Sequence, residues 1–111
     1  MTARMWVRLK AALGRELPPV THAGVVGQVW RGGSGRQALL ARAVAGMVVA
    51  SLDPPLGRSA GELLGAAHTA DVVDAAVVLL GRTGDRVFTS DPNDSTVLAD
   101  AAGISMDVLA V

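Results

Sequence analysis

Three short apolar runs, Met47–Ala50, Arg86–Thr89 and Met106–Val111, are separated by segments with helical composition and helix-start signals. That alternation restricts the chain more than any other feature. Strands joined through helices cannot pair as hairpins, so they pair in parallel and need helices over their faces. The helix starts are written in the same places. Asp53 precedes Pro54-Pro55, Thr69 or Asp71 precedes Val72–Leu80, and Ser90 or Asp91 precedes Pro92–Ala102. Asp, Ser and Thr accept the free N–H groups of a first helical turn, and proline is suited to its first position. Upstream, Val20-Thr21 after Pro18-Pro19 predicts a short strand, and His22–Arg31 a helix ended by Gly32-Gly33. Gly35–Ala45, capped by Ser34, predicts another helix, and Met47–Ala50 a buried strand. Met5–Gly14 carries Trp6, Leu9, Ala12 and Leu13 on one helical face. The expected fold class is α/β, with a parallel sheet covered by helices on both faces, in a single domain over residues 1–111. A helix at the start is unusual for such a fold, which ordinarily opens with a strand.

The chain has no cysteine, which excludes disulfides and thiolate metal sites and suits a reducing cytoplasm. Arg8, Lys10 and Arg15 break up any leader-like apolar stretch near the start. The most apolar stretch, Ala43–Leu52, falls short of the roughly 20 residues that span a bilayer, so no membrane partner is expected. Charge is segregated. Residues 1–52 hold seven basic groups and one acid, Glu16, a net of +6; residues 53–111 hold three basic groups and nine acids, a net of −6. Such a split suits a cation site beside a phosphate-binding surface, or two halves that attract each other.

Candidate chemistry lies among the acids. Asp91 follows an expected strand, at the end where α/β sheets bind ligands. Asp71 and Asp74 are three apart and share a helix face. Convergent carboxylates suit a hard cation, magnesium or manganese; the structural alternative is that Asp71 and Asp91 only cap helices and Asp74 faces solvent. His22 and His68 lack metal-ligand spacing and fit surface or capping roles. Gly32-Gly33-Ser34-Gly35-Arg36 lacks the lysine of a P-loop and reads as a turn. Arg31, Arg36 and Arg42 suit either RNA phosphates or solvated helix faces, and Trp6 and Trp30 suit a core or interface better than base-stacking platforms.

The strings Thr69–Ala76 (TADVVDAA) and Val87–Asp94 (VFTSDPND) are similar to the acidic helix start and the strand-to-helix motif of PIN-domain ribonucleases. Val25–Arg31 (VVGQVWR) resembles a helix of the same family, especially of VapC-type toxins. The resemblance runs from about Met5 to Val111. It implies a PIN-like three-layer fold and a magnesium- or manganese-dependent endoribonuclease, the toxin of a toxin–antitoxin pair. By position, Asp71 and Asp91 would be catalytic metal ligands, with Asp74 and Asp94 as further metal-site acids. Gln28, Thr89 and Arg31 would position substrate or water. RNA, a small antitoxin protein and a second copy of the chain would be its partners.

Two positions depart from the family pattern. No Asp precedes Asp53, so the acid of the family's first central strand is missing, and the family's helix glutamate is Gln28 here. The resemblance therefore implies an N-terminally incomplete copy lacking the first strand and first helix. The alternative function is a catalytically impaired remnant that only dimerises or binds an antitoxin.

Overall fold

The structure is a computed structural model describing residues 18–32 and 37–111. The expected Met5–Gly14 helix and the Ser34 cap lie outside the described residues. The elements run β1 (Val20–His22), α1 (Ala23–Val29), α2 (Gln37–Ala45), β2 (Val48–Ala50), α3 (Pro54–Ala67), α4 (Val72–Leu80), β3 (Arg86–Thr89), α5 (Pro92–Ala102) and β4 (Asp107–Ala110). The chain is mixed α/β, and it divides into two compact units, residues 1–51 and 52–111.

In the N-terminal unit β1 and β2 pair in parallel, Val20 opposite Val48 and His22 opposite Ala50. Leu40 and Ala43 of α2 are its buried apolar residues among those described. α1 begins at Ala23 because the His22 side chain accepts the Gly24 N–H. It is shorter than the expected His22–Arg31 helix. Trp30 is already extended, with its N–H on the carbonyl of Val26.

In the C-terminal unit β3 and β4 pair in parallel, Arg86 opposite Asp107 and Thr89 opposite Ala110, joined through α5. The core lies among the three helices. Ala60 and Leu63 of α3 meet Ala75 and Val78 of α4 and Leu98 and Ala99 of α5. Half of these are alanines, which let the helices approach closely. Asp53 starts α3 by accepting the Leu56 N–H at 2.9 Å, with proline in the first turn as expected. The helix stops at His68, which takes the left-handed conformation (φ 57°). α5 stops at Gly103, likewise left-handed (φ 71°), where glycine carries no Cβ to clash.

Two expectations are corrected. The described strands do not join one sheet; they form two separate two-stranded parallel sheets. Which strands pair is a long-range choice that apolar runs do not encode. β2 is also not buried: Val48 and Val49 are exposed. A strand in a two-stranded sheet is always an edge, so the full cover expected for a central strand is not imposed on it. No single helix among the described residues is long and apolar enough to cross a membrane.

Candidate metal centre

The helix starts of α4 and α5 repeat one arrangement. Asp71 and Asp91 are the N-caps, and Asp74 and Asp94 stand three residues on, in the first turn. Asp71 Oδ1 accepts the N–H groups of Val73 (3.0 Å) and Asp74 (3.1 Å). Asp91 Oδ1 accepts the Asp94 N–H at 3.4 Å. Thr89, the last residue of β3, fixes the second start, because its Oγ1 accepts the Asp91 N–H at 3.0 Å. This sequence of strand end, hydroxyl turn and cap sets Asp91 beyond the carboxyl end of β3.

Packing of α4 on α5 then brings the acids together. Carboxylate oxygens of Asp74, Asp91 and Asp94 lie within 4.8 Å of one another. Asp91 is exposed, whereas Asp74 and Asp94 are half-buried. Crowding shows in their protonation. Partial burial, then the charges of Asp71, Asp91 and Asp94, raise the Asp74 carboxyl above its ordinary range. The Asp91 charge, followed by a side-chain hydrogen bond with Asp91, partial burial and the Asp71 charge, raises Asp94. All four acids thus act on one small region, but the closest set is Asp74, Asp91 and Asp94. Asp71 serves as a cap and acts on the others through its charge.

The donor set is all carboxylate oxygen, which fits magnesium or manganese and does not fit a soft metal. A divalent cation would also relieve the mutual repulsion that, after partial burial, raises Asp74 and that chiefly raises Asp94. Exposed acids at helix starts do the same structural work without any ion.

The remaining expected site residues belong to the N-terminal unit. Gln28 is exposed on α1, and its carbonyl accepts a bond from Arg31 Nη2 at 3.0 Å. Arg31 is exposed and bonded to the end of α1. His68 is an exposed helix terminator, whereas His22 is a buried cap. Trp30, expected in a core or interface, is 41% exposed. A groove of about 350 Å³ lies elsewhere, lined by Thr96, Asp100, Ile104, Ser105, Met106 and Val108. It sits toward the C-terminal end of α5 and the start of β4, away from the paired helix starts, and holds no catalytic constellation. Comparison with protein-family models, curated proteins and solved structures finds no match to this chain.

Proposed function

We propose that the chain is a PIN-like, divalent-cation-dependent endoribonuclease, with its cation site on the C-terminal unit. The observation that carries this reading is the convergence of Asp74, Asp91 and Asp94 on two packed helix starts beyond the end of β3. Asp74, Asp91 and Asp94 would hold magnesium or manganese, and Asp71 would add charge from the cap of α4. A bound divalent cation supplies electrostatic stabilisation of the charge that builds on a scissile phosphate. Thr89 holds the backbone of Asp91, so that carboxylate enters the site already oriented. The similarity of residues 69–76 and 87–94 to PIN motifs supports RNA as substrate and an antitoxin and a second copy as partners. A cytoplasmic setting agrees with the lack of cysteine.

One observation favours the impaired alternative, a remnant that binds a partner without cutting RNA. Neither β1 (VTH) nor β2 (VVA) carries an acid, so no described strand of the N-terminal unit supplies the family's first-strand carboxylate. A direct assay separates the two. Single-stranded RNA is incubated with the full chain in magnesium, manganese or EDTA, beside Asp91→Asn. Metal-dependent cleavage lost in the variant supports the nuclease. Saturable manganese binding without cleavage supports the remnant, and no manganese binding overturns the site.

A further inference from the structure

The chain's charge changes sign at the boundary that divides its fold. The N-terminal unit, residues 1–51, has seven basic groups and one acid, and no acid among its described residues. Within it, Trp30 and Arg31 are consecutive residues just after α1, both exposed. Neither is loosely held. Arg31 is tied at two points: its N–H donates to Gln37 Oε1 at 2.9 Å, at the first residue of α2. Its guanidinium donates to three carbonyls at the end of α1. Nη1 reaches Trp30 (2.8 Å) and Gly27 (3.3 Å), and Nη2 reaches Gln28 (3.0 Å). The helix dipole favours a cation there. A guanidinium has five N–H donors; these bonds leave Nε–H and one Nη2 hydrogen for another acceptor. No described residue forms an ion pair with it.

We infer that Trp30 and Arg31 form a binding point for single-stranded RNA, an unpaired base stacking on the Trp30 indole while Arg31 takes the adjoining phosphate. The choice of RNA rests on the proposed function; the binding point itself does not depend on the acidic site. An exposed aromatic followed in the chain by a fixed cation suits the repeat of a single strand, base then phosphate. Stacking of that kind accepts any base, and the cation tracks the backbone. Arg42, exposed on α2, adds positive charge to the same unit. An acidic protein would use the charge but would leave the indole without a planar partner.

The test uses the full chain in EDTA, so that binding is read without cleavage. In a Trp6→Phe background Trp30 is the sole indole, and a uridine homopolymer should quench its fluorescence. Anisotropy of the labelled RNA should show about tenfold weaker binding for Trp30→Leu, in keeping with the loss of one stacked base. Arg31→Gln should weaken binding and lower the slope of log affinity against log salt by about 0.7. Arg31→Lys, which keeps the charge but not the planar fork, should fall between. Circular dichroism confirms that each variant folds, and quenching in the Trp6→Phe protein reads the stack without any change at Trp30. Unchanged affinity in both Trp30→Leu and Arg31→Gln, or absence of quenching, overturns the proposal. So does equal or tighter binding of heparin or an acidic peptide. Binding that survives when no cleavage occurs in magnesium would remove the nuclease reading and leave this one standing.

Discussion

Asp71 Oδ1 accepts the backbone N–H of Asp74 at 3.1 Å, so one carboxylate starts the helix that delivers the next into the acidic cluster. Capping and cation binding make different demands on Asp71, and substitution separates them. Asparagine caps as well as aspartate, whereas alanine loses about 1 kcal/mol. Asp71→Asn should therefore leave stability nearly unchanged, and Asp71→Ala should lower it by about that amount. Asp91→Ala should cost less, because its bond to the Asp94 N–H is long at 3.4 Å. Manganese affinity should rank differently: Asp91→Asn loses a member of the closest acid set, and Asp71→Asn only a neighbouring charge. Urea unfolding and manganese titration of the four variants read the two orders.

Crowded carboxylates also give the C-terminal unit an unusual response to acid. Asp74 and Asp94 are raised in the folded chain, so the folded state holds their protons more readily than the unfolded state does. Between the ordinary carboxylate value and the raised ones, folding takes up protons. These two groups therefore oppose folding as pH rises through that window, and the penalty is full above it. Their contribution to stability should grow on acidification from about pH 7 toward pH 4. Asp74→Asn should raise stability at neutral pH and flatten this slope. Magnesium added at neutral pH should do the same for the unsubstituted chain if the acids hold it. Chemical unfolding across pH, with and without magnesium, measures both effects.

His22 offers a test of the N-terminal unit. It is 2% exposed, its Nδ1 accepts the Gly24 N–H at 2.9 Å, and its Nε2 is buried without a partner. An accepting Nδ1 carries no proton, which places the ring proton on Nε2. Nitrogen-15 spectra of the imidazole should therefore show the Nε2–H tautomer. His22→Asn keeps an acceptor at the cap, so it should be milder than His22→Ala. The alanine variant should lose about 1 kcal/mol for the cap, and more for the vacated volume.

The local elements were legible because their signals are local. Asp53-Pro54, Asp71 and Asp91-Pro92 open helices through hydrogen bonds spanning two or three residues, and the structure uses each of them. Strands β1, β3 and β4 likewise fall on their apolar runs. Strand pairing is not local, and one expected sheet resolves into two. The acid cluster lies between these cases. Spacing alone puts Asp71 and Asp74 on one face of α4. Bringing Asp74 beside Asp94 requires Ala75 and Val78 to pack on Leu98 and Ala99, which no spacing states. Helix α1 ends at Val29, two residues short of the expected Arg31, because Trp30 already takes an extended backbone.

Helix α3 has room for a gain in stability. Gly57, Gly61 and Gly65 recur at every fourth position, on one stripe of a 14-residue helix. A Cβ built on any of them meets nothing within 4 Å, and none has the positive φ that would exclude alanine. Glycine within a helix is worse than alanine by about 0.5–1 kcal/mol, largely because it is freer in the unfolded chain. Gly61→Ala, at the middle of the stripe, should therefore stabilise the C-terminal unit by about that amount. Gly103→Ala is the contrasting control. Gly103 ends α5 at φ 71°, where a Cβ is strained although space is open, so alanine should destabilise there by about 1–2 kcal/mol. Opposite signs from one chemical change would show that backbone conformation, and not room for a methyl group, decides these glycines. A loss at Gly61 would instead mean that the stripe lies against something in solution, and sedimentation of the variant against the parent chain would show whether that is a second copy.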